Sequence, residues 1–148
     1  MASVSLIAAL TEEGRRHIAD MTVSGRGFQI TKFVVGSGGH DPSDPATALT
    51  PDPSVTILPS QTFGPKDLVK PNLTDTGVLI TPFCPQFTGL LDFNEANGSF
   101  SNIGLIGTIN APPGDPLIGT DFLFAIGNRP LIVKTDADQL QINVTLQT

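Results

Sequence analysis

The chain has no tryptophan and no tyrosine, one cysteine, two histidines and only eight lysines and arginines in 148 residues. Each scarcity excludes something. Cys84 is alone, so no intrachain disulfide can form; it reads as a small core-filling residue of a protein assembled in a reducing cytoplasm. The cations are scattered, Arg15-Arg16 being the one adjacent pair, and the net charge is −6. Nucleic-acid binding needs the opposite, a basic footprint. Without Trp or Tyr, a carbohydrate platform or a base-stacking surface would have to rest on nine Phe. No apolar run reaches the roughly 18 residues of a membrane helix. The start, MASVSLIAAL, lacks the basic segment of a secretory signal and runs into Glu12-Glu13.

Charge of either sign is also sparse. Charged residues make up 15% and hydrophobic ones 39%, against a charged fraction of roughly 25% in soluble domains. Surface so poor in charge is suited to burial in an assembly. The length fits one domain, residues 1–148, with enough chain for a real core.

What is present is glycine, proline and alternation. LTEEGRRHIADM (Leu10–Met21) reads as a helix: Thr11 caps it, Glu12 and Glu13 occupy the first turn where the helix dipole favours anions, and Leu10, Ile18 and Met21 make a short apolar stripe. Gly14 costs this helix about 1 kcal/mol relative to alanine and is expected to allow close packing. GFQITKFVV (Gly27–Val35) reads as a strand. From Gly36 to Pro85 the chain becomes a Pro-rich loop excursion holding nine of the thirteen prolines, with short strands expected at SVTILP and GVLITPF. Its apolar residues argue that contact orders it, a neighbouring subunit being one source. Farther on, NEANGS between two apolar runs predicts a hairpin turning at Asn97-Gly98, DFLFAIG a further strand, and LQINVTLQ the clearest strand of all, alternating Leu140, Ile142, Val144 and Leu146 with polar residues. The expected fold class is α+β, mostly antiparallel β and sandwich-like, with one short N-terminal helix.

The motif most like a ligand site is VVGSGGHDPSDP (Val34–Pro45). It lacks the lysine and hydroxyl of a phosphate loop, and Pro42, Pro45 and two aspartates oppose both a helix and a phosphate there. His40, Asp41 and Asp44 fall short of zinc or calcium ligand sets. Gly36, Gly38 and Gly39 are read as turn residues that permit positive φ, and no metal or cofactor is expected. No serine elbow, HExxH or Cys–His neighbourhood is present, so no catalytic residue is assigned and the chain is not expected to be an enzyme. His17 is expected to be solvated or partly packed.

The order of these motifs resembles the N-terminal domain of bacteriophage tail-collar and tail-fibre proteins. Leu10, Thr11 and Gly14 match its Leu-Thr-x-x-Gly helix. Val35, Gly36, Gly38 and Gly39 match its Val-Gly-x-Gly-Gly strand end. Ile103, Gly104 and Leu105 match a later strand signature. Leu140, Ile142 and Val144 match the last strand, reached through a Pro-containing link and a polar turn. The resemblance implies a short form lacking a fibre shaft. It would be a virion structural component at the baseplate or the fibre attachment (collar), assembled in the bacterial host cytoplasm as a trimer or ring and docking to other tail proteins. The protein interface is expected on the excursion, at Val55, Ile57, Leu58, Phe63, Leu68 and Val69. The alternatives are another virion role, capsid decoration or head–tail connector, and a receptor- or glycan-binding module.

Overall fold

Leu140, Ile142, Val144 and Leu146 are all buried, and the polar residues between them face out. The same period-two rule builds most of the molecule. The structure, a computed structural model, describes residues 2–69 and 86–147; Cys84 and the expected strand GVLITPF lie outside the described residues. In chain order the elements are β1 (Ala2–Leu10), α1 (Glu12–Ser24), β2 (Gly27–Gly36), β3 (His40–Asp41), β4 (Asp44–Ala48), β5 (Gln61–Asp67), β6 (Gln86–Leu91), β7 (Gly98–Asn110), β8 (Asp121–Lys134) and β9 (Leu140–Gln147). β3 and β4 form a small ladder of their own. The other seven make one sheet in the order β5-β2-β7-β8-β1-β9-β6, antiparallel throughout except for β1 against β9.

The sheet is curled rather than doubled into a sandwich. Its two edges approach each other: Val69, just past β5, donates its N–H to Thr88 O of β6 at 2.9 Å. Inside the curl Phe33 of β2 lies against Gly89 of β6, where a Cβ would sit 3.0 Å from the ring. With Phe87, Phe100, Leu105 and Ile142 it forms the main core. One rolled sheet buries a single inner face on itself, so a second sheet is not needed.

The helix is the second element, because SVSLIAAL is a strand. Ser3, Ser5 and Ile7 are exposed while Leu6 and Ala8 are buried, so the alternation was present. Its leucines and alanines suit a helix equally well, which hid it. Helix α1 then lies against β8. Buried Thr11 caps it, accepting from Gly14 N at 2.9 Å and donating its hydroxyl to Leu123 O at 2.7 Å. Ile18 and Leu10 pack on the core, but Met21 is exposed and does not complete the expected stripe. His17 stacks on Phe122 with ring centroids 3.9 Å apart. The C-terminus stops at Gly25, whose φ of 78° is left-handed.

Two irregularities shape β8. Leu105 pairs with Ala125 and Ile106 with Leu123, so Phe124 is an extra residue, and both Phe124 and Ala125 turn into the main core. Farther along, Phe100 pairs with Ile132 and Asn102 with Asn128. Pro130 falls in the interval opposite Ser101, where no ladder donor is required. The expected Pro-containing link is therefore the middle of a strand.

The predicted hairpin at Asn97-Gly98 does not form. The chain does turn there, with Ala96 and Gly98 at positive φ, but β6 pairs with β9 and β7 with β2 and β8. The turn carries the chain from the sheet's edge to its middle and is held by cations. Lys134, 5% exposed, donates to Asp92 O and to Asn97 Oδ1, each at 2.7 Å. Lys66 of β5 donates to Leu90 O at 2.8 Å and pairs with Glu95. The Lys66 hydrogen bond, followed by the Asp92 N–H, holds the Glu95 carboxyl below its usual range. A depressed carboxyl pKa contributes stability that is complete above the unfolded value and is lost as the pH falls through the folded one. The acid limb of a stability–pH curve should therefore be steeper for the wild type than for Glu95→Gln below pH 4.5, the two running parallel above it. Equal slopes in urea titrations across that range would remove the pair from the account.

Candidate functional site

Consecutive residues of β2 face opposite ways: Phe33 and Val35 join the main core, while Val34 points outward. Val34, Leu123 and Ile126 make an apolar outer face that would otherwise meet water. Residues 37–60, the first part of the excursion, fold back over it, and Leu58 at 3% exposure plugs the centre. This first part of the excursion is thus ordered by its own chain's sheet. No strand forms at SVTILP; among the described residues of the excursion the strands are β3, β4 and β5, despite Pro45 and Pro65. β4 is exposed and short, and β5 is an edge, the positions where a strand tolerates proline.

Polar contacts pin the cover. Glu12 N at the helix start donates to Pro53 O at 2.7 Å, filling one orphan donor of the helix. Asn128 Nδ2 donates to Leu49 O at 3.0 Å, and Leu49 N donates to Gly39 O at 2.8 Å. Ser101 and Asn102, both buried, stand beneath the glycines. Ser101 Oγ accepts from Gly39 N at 2.8 Å and lies 2.9 Å from His40 Nδ1. Asn102 Nδ2 donates to Pro59 O at 3.0 Å, while its Oδ1 has no hydrogen-bond partner among the described residues. That oxygen would be 2.7 Å from a Cβ on Gly36. This corrects the role expected of the glycines. None of Gly36, Gly38 and Gly39 has positive φ. They are small because backbone lies on them: a Cβ on Gly39 would sit 2.1 Å from Ser101 O, and one on Gly38 2.6 Å from Pro59 O.

The chemistry of the motif is used up locally. Asp41 Oδ1 accepts from Ser43 N at 2.9 Å, and Asp44 Oδ2 accepts from Thr47 Oγ1 at 2.6 Å, both ordinary turn bonds. Among the described residues no group of three His, Cys, Asp or Glu could hold a metal ion. The Ser101–His40 contact has the residue types of a nucleophile and its base, but Ser101 is buried, so its hydroxyl offers no approach to a substrate. Glu13 is engaged by Arg16 at 2.6 Å and His17 at 3.2 Å on its own helix.

The surface the cover leaves is an apolar groove of about 200 Å³ between the excursion and the sheet. Val34, Leu58, Ile106 and Leu123 make its floor; Ile57, Gln61 and Pro65 make one wall. Asp121 stands at the rim, bonded to Thr108 Oγ1 at 2.6 Å and to Lys32 at 3.3 Å. A shallower hollow continues past Ile57 along Gln61–Pro65. Of the six residues expected at an interface, Ile57 at 72% and Val69 at 58% exposure face out. Val55 and Phe63 are half-buried against the two cores. Leu58 and Leu68 are buried in the chain's own packing. Their apolar character was visible in the sequence, but which of them face inward was not, because irregular backbone has no period to read. The buried polar trio Ser101, Asn102 and Lys134 was missed; polar residues inside a strand give no sign of burial until their partners are placed.

Leu58 is the testable joint of this surface. Leu58→Ala should cost about 2 kcal/mol, the low end for a buried leucine because the adjoining groove lets the site collapse. Amide exchange at residues 49–60 should rise by more than exchange in β7. Uniform loss of protection would mean that the cover does not open separately.

No protein-family model and no curated protein matches this chain.

Proposed function

We propose that the chain is a structural component of a bacteriophage tail, at the baseplate or the tail-fibre attachment, that acts by docking to other tail proteins and not by catalysis. On this reading it resides in the virion as a homo-oligomer, a trimer or a ring. The observation that carries the proposal is the ordered set of motifs: Leu10-Thr11 with Gly14, Val35-Gly36 with Gly38-Gly39, Ile103–Leu105 and the Leu140–Val144 alternation. Their packing supports the reading. Thr11 and Gly14 rest on Leu123 and Phe124 of β8, and Gly36 and Gly39 rest on Ser101-Asn102 beside Ile103. The motifs therefore describe one small unit whose outer surface, with exposed Ile57 and its groove, is available for contact. The absence of a cofactor, a nucleic-acid partner or membrane insertion belongs to the same proposal.

The test is immunogold electron microscopy, with antibody to this chain, on particles of the phage whose genome encodes it. Gold at the tail end or collar is expected. Gold over the capsid would replace the proposal with a head-decoration or connector role. Particles without label, together with glycan-array binding by the isolated protein, would replace it with a receptor-binding module.

A further inference from the structure

Three neighbouring strands at one side of the sheet, β1, β9 and β6, contain no charged residue, although the chain carries fourteen acids and a net charge of −6. Their inner residues are core. Their outer residues line up in rows across the sheet. Ser5 pairs with Asn143 and Asn143 with Thr88; Ile7 pairs with Thr145 and Thr145 with Gln86. The row on the other side has Gln141 at its centre. The side chains already bond along the face: Asn143 Oδ1 accepts from Gln141 Nε2 at 3.1 Å and from Thr88 Oγ1 at 3.4 Å. Ile7 stands at its edge, 60% exposed.

We infer that this face is the contact between copies of the chain. Two observations select a second copy over a different partner. Identical copies of a chain with net charge −6 repel wherever their carboxylates meet, and a like-charge juxtaposition costs several kcal/mol. A face without acids is where that cost vanishes. A partner of different sequence is under no such constraint, because its own cations can meet these acids. Second, Ser, Thr, Asn and Gln each donate and accept, so a face made of them can bond to its own image across a symmetry axis. Exposed Ile7 adds an apolar contact. The rows span roughly 10 by 14 Å, from the strand and residue spacings, so they form the centre of the contact and flanking surface completes it. The inference rests on the homo-oligomer part of the proposed function and not on the tail location.

The experiment is sedimentation velocity over a range of concentrations on the full chain and on three variants: Ile7→Glu, Thr145→Glu, and Val23→Glu on the solvent side of α1, where the parent residue is 89% exposed. The wild type and Val23→Glu should sediment as the same oligomer. Each face variant should weaken association at least ~10-fold with an unchanged circular dichroism spectrum. As a readout free of mutation, amide protection at residues 3–7 and 86–90 of the wild type should rise with protein concentration. A wild type monomeric at every concentration overturns both the oligomer and this face. An oligomer whose mass the face variants leave unchanged, or whose added protection falls elsewhere, overturns the face and leaves the oligomer standing.

Discussion

Lys134→Met is expected to lower the unfolding free energy by about 3 kcal/mol. Hydrogen bonds to a charged group contribute roughly 1.5–3 kcal/mol each, and the ammonium makes two of them at 2.7 Å, to Asp92 O and Asn97 Oδ1. Two opposing effects bound the figure. Burying an ammonium costs solvation that methionine does not pay, and a well-packed apolar replacement of a buried charge is often neutral. The turn it holds is exposed, so its freed acceptors can turn to water. What water does not restore is the fixed path of residues 92–97 between the edge strand β6 and the central strand β7. Urea unfolding should show the loss, and amide exchange should place it first at that turn. A stability change near zero, with the turn still protected, would show that apolar packing of the stem, and not the ammonium, is what matters.

Gly14→Ala separates local preference from tertiary contact, because the two predict opposite signs. In an isolated helix the substitution is worth about 1 kcal/mol in favour of alanine. In the fold, the new methyl carbon would sit 2.3 Å from Phe124 O and 3.2 Å from Phe124 C. Both are backbone atoms, and neither can turn aside. Phe124 is also the extra residue of β8, and its carbonyl accepts from Thr11 N at 3.0 Å. Moving the helix away therefore strains the cap as well. An overpacking cost of about 3 kcal/mol outweighs the propensity gain of about 1 kcal/mol, and a net loss of roughly 2 kcal/mol is expected. A thermal melt raised by the substitution would mean that the helix lifts off β8 without penalty.

The elements that were legible share a short range. β9 shows in eight residues because apolar and polar residue types alternate along it without exception. The helix after Thr11 shows because its cap and its acidic first turn are local signals; the sequence reading ends it short, at Met21, whereas it runs to Ser24 and stops at left-handed Gly25. The strand at Gly27 shows by its composition. The failures share long range. NEANGS does turn, but nothing in those residues says that β6 will pair with β9, its partners lying 49 to 59 positions later, in place of β7. SVTILP has the composition of a strand, yet Leu58 is used as a plug over Val34 and Leu123, and that use fixes the backbone around it. β1 was hidden because alanine and leucine leave its alternation ambiguous, and the parallel partner that resolves it lies at the other end of the chain.

The glycine-rich stretch after Val35 holds both halves of this lesson. From the sequence alone come the single cysteine, the scarcity of charge, the alternating strands, the helix with its cap, and the lack of a phosphate or metal pattern at His40. These follow from composition and from periods only a few residues long. Only the tertiary structure decides that the sheet curls on itself, that residues 37–60 cover its outer face at Val34, Leu123 and Ile126, and that Gly36, Gly38 and Gly39 are small so that Ser101, Asn102 and Pro59 can lie against them. Strand partners and close backbone approaches are set by which distant surfaces fit together, and no local window of the chain contains both surfaces.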